Sequence, residues 1–299
     1  MTEKTMDRAP VHLIVDSTCD MPAEWKDQYD IITMPLGVVL NGKEYKDGVD
    51  LSLDELHDAM RAGIIPKTTQ VPPGEMLETF RACLNRGEDV LYIAFSAAMS
   101  GTFRTASVVM DKLREDYPDR RMAVVDSKGG CLGSGLLAGR VAELLADGAD
   151  LDTAVTAAEG MAEQEEYLFT IPNLDWMVKG GRVGHMRGYL GDKLNIKPIL
   201  DVENGMICVV RKVRGMKKAL GDLVDHLAES AAGWPVQIVG IAHSADLATA
   251  KTLDSMVKTK LPQCRTVICE IGEVLTTHLG IGGVAVFWFP TKGTAAEGE

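Results

Sequence analysis

Three short apolar runs in the first half of the chain limit what it can become. They are "VHLIV" (Val11 to Val15), "DVLYIAF" (Asp89 to Phe95) and "RMAVV" (Arg121 to Val125). Each is the length of a buried strand and too short for a helix core. Between and after them lie segments with helical spacing. "SLDELHDAMRAG" opens on a serine cap and ends in Gly63, and "GEMLETFRACLNRG" also ends in glycine. In "SGTFRTASVVMDKLRE", Phe103, Ala106, Met110 and Leu113 fall on one face. "CLGSGLLAGRVAELLADG" groups Leu132, Leu136, Leu137, Val141 and Leu144, and a polar-faced helix follows in "LDTAVTAAEGMAEQEE". Strands separated by helices imply a parallel sheet covered on both faces.

From about Tyr167 the texture changes. "NIKPILDVENGMICVVRKV" reads as two antiparallel strands turning at Glu203-Asn204-Gly205, as "TMPLGVVLNGKEYKDG" does earlier at Asn41-Gly42. A helix from Met216 to Glu229, a strand "VQIVGIAHS", a helix near Leu247 to Lys258, and strands "RTVICEI" and "GVAVFWF" complete an α+β second half. The expected fold class is therefore α/β. A parallel-sheet domain over residues 1–165 precedes an α+β domain over 166–299, within the size that favours division into two cores.

Several function classes are disfavoured. The net charge of -12 opposes nucleic-acid binding, which wants a basic surface. The opening "MTEKTMDRAP" lacks the apolar core of a signal peptide, and no run reaches a bilayer span, so the expected location is the cytoplasm. The six cysteines form no CxxC and keep no metal-ligand spacing with histidine. They read as small apolar fillers, with Cys19, just after a strand, the one to test for reactivity. "GVVLNGKE" from Gly37 misses the phosphate loop GxxxxGK[ST] at Glu44 and sits in a hairpin. There is no HExxH and no GxSxG.

Four loops carry hydroxyls, glycines or a histidine. Asp16-Ser17-Thr18 ends the first strand, where a helix cap is the plain reading. Thr68, Thr69 and Gln70 lie in "PKTTQVPPGE", readable as a capped turn. Ser96, Ser100 and Thr102 follow the second buried strand; Ser100 can cap the next helix, but Ser96 lies too far back. His278 precedes Gly280, Gly282 and Gly283, whose spacing implies close backbone approach to something. In open α/β sheets ligands sit beyond the carboxyl ends of the strands, so these loops can converge. Two basic clusters stand out in so acidic a chain: Lys179, Arg182 and Arg187, then Arg211, Lys212, Arg214, Lys217 and Lys218. Each reads as a solvated surface or as an anion- or partner-docking face.

At these residues the sequence resembles the DegV family, which includes the bacterial fatty-acid-binding proteins called FakB. "VDSTCDMP", "PLGVVLNGKEYKDG", "PKTTQVPPGE", "SAAMSGTFRTA", "VVDSKGG", "NLDWMVKGGRVG", "LNIKPIL…ENG", "KVRGMKKA" and "TTHLGIGG" occur in the family's order over nearly the whole chain. The resemblance implies one long-chain fatty acid, palmitate- or oleate-like, held between the two domains. It implies no cofactor, no metal and no catalytic residue of the chain's own. The partner would be a fatty-acid kinase, an ATP-binding subunit that makes an acyl phosphate for phospholipid synthesis, with transient membrane contact left open. The family's carboxylate-binding hydroxyls carry over to Thr68 and Ser96, and more loosely to Thr69; its histidine corresponds to His278. Arg182 and Arg214 match arginines associated with the carboxyl end and kinase docking. The sequence departs at Ala97, where the family has a second serine, and at Val71, where it has proline.

The energetics suit such a ligand. A sixteen-carbon acid buries about 14 methylenes at ~0.8 kcal/mol each, roughly 11 kcal/mol before entropy losses. An unpaired buried carboxylate costs several kcal/mol. Hydrogen bonds to a charged group return about 1.5–3 kcal/mol each. Hydroxyls would thus orient the head while the apolar interior supplies affinity and selects chain length; the 15 methionines suit an adaptable wall. Two rivals remain open: an acyl-lipid sensor or carrier without a kinase, and a phosphotransferase, for which the chain lacks a nucleotide loop.

Overall fold

The structure is a computed structural model describing residues 9–182, 195–231 and 238–289. Its first strands and helices are β1 Val11–Asp16, α1 Ala23–Gln28, β2 Ile32–Met34, β3 Gly37–Leu40, β4 Lys43–Lys46 and α2 Leu53–Arg61. Then come β5 Lys67–Thr69, α3 Pro73–Asn85, β6 Asp89–Ala94, α4 Thr102–Asp116, β7 Met122–Asp126, α5 Cys131–Ala146 and α6 Leu151–Ala162. The remainder is β8 Glu166–Thr170, α7 Asp175–Gly180, β9 Ile196–Glu203, β10 Met206–Arg214, α8 Met216–Ser230, β11 Ile238–His243, α9 Leu247–Lys260, β12 Arg265–Glu270, α10 Glu273–Leu279 and β13 Val284–Trp288.

The three apolar runs become β1, β6 and β7, and with the short β2, whose Thr33 and Met34 the sequence places in the hairpin segment, they form a four-stranded sheet in the order β2-β1-β6-β7, parallel throughout. Strand β6 explains why both faces are covered. Val90, Tyr92 and Ala94 point to one side, where they pack with Phe80 of α3 and Met110 of α4. Leu91 and Ile93 point to the other, against Leu137 and Val141 of α5 and Ala154 of α6. A strand apolar at every position needs cover on both faces.

The second half forms a six-stranded mixed sheet, β10-β9-β8-β13-β11-β12, in which only the β11–β12 pair is parallel. Its outer face carries Leu168, Ile199, Val286 and Trp288 beneath α8 and α9. Its inner face carries Tyr167, Phe169, Ala285 and Phe287. The protein is thus mixed α/β, with a parallel sheet and a separate mixed sheet.

Helix α5 lies between the two sheets, which revises the reading of its leucines as one grouped face. Leu137 and Val141 serve the parallel sheet, whereas Cys131, Leu132 and Leu136 serve the mixed one. Gly240 of β11 lets it approach: a Cβ there would stand 3.0 Å from Leu132. A helix apolar all round is the form a doubly covered helix takes.

Both hairpin turns form as the sequence expects. Asn41 and Gly42 have φ of 52° and 79°, and Asn204 and Gly205 have 51° and 77°, the left-handed pairs a tight hairpin requires. Ser52 caps α2 in a reciprocal box with Glu55. Two local readings change. Thr68 and Thr69 lie in strand β5 of a three-stranded sheet, β4-β3-β5, and not in a turn. His278 lies in the last turn of the short helix α10 and not in a loop.

Candidate functional site

A cavity of about 910 Å³ opens between the two sheets, within the range of small-molecule sites. One wall is the inner face of the mixed sheet, through Ile171, Phe169 and Tyr167 near and along β8 and Gly283, Ala285 and Phe287 along β13. The facing wall comes from the loop after β6, through Phe95 and Ala97 to Gly101, and from Phe103, Arg104, Ser107 and Val108 of α4. Thr68, Thr69 and Gln70 close one side, and Val274, Leu275, His278 and Leu279 of α10 another.

The polar focus is a single pair. Thr68 Oγ1 and His278 Nε2 lie 2.9 Å apart, 210 residues apart in sequence. Strand β5 fixes Thr68 by pairing it with Val38 of β3. Burial, and then the Arg182 charge, pushes the His278 imidazole down to about 4, so it is neutral at ordinary pH. Its Nδ1 is buried without a partner and faces Gly180, where a Cβ would stand 2.2 Å away. The glycines of "KGGR" therefore have separate duties. Gly180 makes room for the imidazole, and Gly181 ends α7 with φ of 67°.

The glycines after His278 also find their reason in packing. A Cβ on Gly280 would reach 2.4 Å from Trp176, one on Gly282 2.9 Å from Pro172, and one on Gly283 3.1 Å from Ile171. The close approach read from the sequence is to the segment from Ile171 to Trp176.

Ser96 stands apart from the pair. Its side chain is fully buried and donates to the Gly205 carbonyl at 2.7 Å, tying the loop after β6 to the tip of the β9–β10 hairpin. It also accepts from the Ala98 N–H at 3.3 Å. The cavity wall there is Phe95, Ala97 and Ala98. The structure thus gives the Ser96 hydroxyl a bridging duty in place of the expected open donor. Thr69 lines the cavity while donating to Glu44 at 2.6 Å. Arg182 lines it from an exposed position, with one guanidinium nitrogen on the Gly180 carbonyl at 2.9 Å. Arg214 ends β10 on an exposed surface and is not on the cavity wall. Arg187 lies outside the described residues. Arg211 is paired with Asp222 at 2.8 Å.

One wall residue carries no motif in the sequence, and Asp16 and Cys19 are neither a cap nor a reactive thiol. Arg104 lines the cavity one turn after Ser100, on the helical face it shares with Ser107 and Val108. Asp16 is no cap: it accepts from Thr18, from the Tyr92 hydroxyl at 2.9 Å and from the Phe95 N–H at 2.8 Å. It thereby fixes the start of the cavity loop. Cys19 is buried, and burial followed by the Asp16 charge pushes its thiol well up, the reverse of a reactive cysteine.

Helix α10 is placed by carboxylates from the parallel-sheet half. Asp20 accepts from the Gly272 N–H at 3.1 Å and Asp47 from the Val274 N–H at 3.2 Å. Glu273 in return accepts from the Gly48 N–H at 3.1 Å. Burial lifts the Asp20 carboxyl to about 7, and burial with the Glu273 hydrogen bond lifts that of Asp47 well above the usual range. Among the described residues no helix is long and apolar enough to cross a membrane.

Two sheets enclose an apolar cavity with a hydroxyl–imidazole pair on its wall. The DegV family model matches residues 10–291, and the chain belongs to the DegV family. That family is described as one of uncharacterised proteins. A DegV domain-containing protein of Clostridium perfringens is 33% identical over 279 residues, covering 92% of this chain and 96% of its own. A fatty-acid-binding DegV family protein from Thermus thermophilus superposes with a TM-score of 0.87 at 26% identity, covering 94% of this chain and all of that one. A stearic-acid-binding protein from Eubacterium ventriosum gives 0.85 at 25% identity, covering 94% and 98%.

Proposed function

We propose that this protein binds one long-chain fatty acid in the cavity, carboxylate toward Thr68 and His278, and presents that carboxyl group to a separate fatty-acid kinase. The observation that carries the reading is the cavity itself: a long apolar wall leading to one hydroxyl–imidazole pair at its side. In this reading His278 Nε2–H donates to Thr68 Oγ1, and the threonine hydroxyl donates its own proton to the carboxylate. The relay needs the proton on Nε2, which suits a neutral ring whose other nitrogen, Nδ1, is buried without a partner, and burial keeps the ring neutral. Arg182 adds a cation at the same end and would meet the carboxylate or the phosphoryl group arriving on it. The chain itself supplies no chemistry in this scheme; it holds, orients and releases.

Support comes from the fatty-acid ligands of structurally similar DegV proteins and from the size of the cavity. Ser96 takes part indirectly, by fixing the loop that carries Ala97 and Ala98. Arg214, away from the cavity, is assigned to partner docking. The test is native mass spectrometry of the full chain after incubation with palmitic and oleic acids. One bound acid per chain is expected, and a fatty-acid kinase supplied with ATP should convert it to acyl phosphate. No uptake of either acid would overturn the binding role; uptake without conversion would leave a carrier with no kinase.

A further inference from the structure

The far end of the cavity has a defined construction. Along two neighbouring strands, Ile171, Phe169 and Tyr167 on one and Gly283, Ala285 and Phe287 on the other line it at every second position, with Val284 also reaching the wall. Period-two alternation means one continuous face. Ile171 touches the glycine segment that follows His278, so that end of the face adjoins the polar pair. Four residues at ~3.3 Å each place Tyr167 about 13 Å further along the strand. Across the sheet, Phe287 pairs directly with Tyr167, and their rings meet edge to face at 5.8 Å and 86°. Both are buried, at 4% and 3% exposure.

The polar edge of Tyr167 is turned away from the cavity. Its hydroxyl donates to Glu165, and both groups fit into α5 and its preceding loop only because two positions there lack a side chain. A Cβ on Gly129 would lie 1.7 Å from the Tyr167 hydroxyl, and one on Gly133 2.2 Å from Glu165 Oε1. Burial lifts the Glu165 carboxyl to about 8, so the pair is uncharged at neutral pH. What remains toward the cavity is an apolar ring, clamped from behind by a hydrogen bond and from the side by Phe287.

We propose that Tyr167 is the chain-length determinant of this protein: its clamped ring is the stop against which the distal end of the acyl chain ends. A ring pinned at its hydroxyl yields less than a free one, and close-packed surroundings leave a longer chain nowhere to go. The inference rests on the fatty-acid reading above.

The test loads the full-length protein with an equimolar mixture of saturated acids of twelve to twenty carbons. The retained acids are then extracted and weighed by mass spectrometry. In Tyr167→Ala the retained ratio of stearic to palmitic acid should rise by about tenfold, the equivalent of two further methylenes buried at ~0.8 kcal/mol each. Tyr167→Leu, which keeps an apolar side chain and so protects the fold, should shift the ratio the same way by less. Tyr167→Phe keeps the ring and should leave the ratio within about twofold of the wild type. A wild-type ratio in a folded Tyr167→Leu or Tyr167→Ala overturns the proposal. Equal loss of acids of every length does so too, since that is what a merely structural tyrosine gives. Wild-type protein that takes up no acid at all would instead overturn the fatty-acid reading.

Discussion

The two ends of the cavity are made by different means. The polar end brings together β5, α7 and α10, elements far apart in the chain, and leaves Thr68 and His278 converging on one spot. The far end uses neighbouring strands, where pairing of Tyr167 with Phe287 follows from register alone. At the polar end, buried groups that carry or could carry charge are placed by single hydrogen bonds and by glycines that make way for them. At the far end the Tyr167 hydroxyl is turned outward, and the Tyr167 and Phe287 rings face the cavity among other apolar side chains. An end that must recognise a charge needs convergent donors, whereas an end that must only stop a chain needs a rigid apolar surface.

The sharpest way to break this contrast is to remove the polar pair. Thr68→Val should lower fatty-acid retention by about 10- to 100-fold, the loss of one hydrogen bond to a charged group, and leave retention of the matching alkane unchanged. Competitive loading with both ligands measures it. An equal loss of acid and alkane would show that Thr68 shapes the wall and does not see the head group. Gly180→Ala approaches the same result from behind, because the new Cβ cannot coexist with the His278 ring in its present place.

Ser96→Ala separates the bridge from the head group. Leaving the Gly205 carbonyl buried and unpaired should reduce stability by about 1–3 kcal/mol in urea unfolding. The preference for acid over alkane should persist. Loss of that preference would restore Ser96 to the carboxylate.

A pH series sharpens the contrast further, because α10 is held by buried carboxyls. Asp20 rises from the ordinary carboxyl range to about 7 on folding. Between about pH 4 and 7 the unfolded chain has released this proton while the folded one keeps it, so stability falls as pH rises. The contribution is fully present below about pH 4 and gone above about 7. His278 acts oppositely: its folded value of about 4 costs stability as pH falls from about 6.5 toward 4. Asp20→Asn should flatten the first slope, as followed by thermal unfolding across that range; an unchanged slope would remove Asp20 as its source.

The smallest effect is expected at the surface. Arg214→Ala should leave fatty-acid retention as it is and lower the rate of acyl-phosphate formation by a kinase, by a few-fold at low salt, where exposed charges act most. An unaltered rate would remove the docking role.

The parallel sheet, its helices, both hairpins and the resemblance to the DegV family were legible from the residues alone. Apolar runs, 3.6-residue spacing and Asn-Gly turns are local signals that need no partner to be read. The Thr68 strand was missed because a three-residue strand carries almost no periodicity; it is a strand because β3 lies beside it. The same limit hid the double use of α5, whose leucines divide between two sheets that sequence spacing cannot see. Which hydroxyl stays open and which is tied to a carbonyl was decided only in three dimensions: Ser96 and Thr68 look alike in sequence, but Gly205 stands over one and His278 over the other. Residue type sets what a side chain can donate. Only tertiary packing sets what, 100 or 200 residues away, is there to accept it.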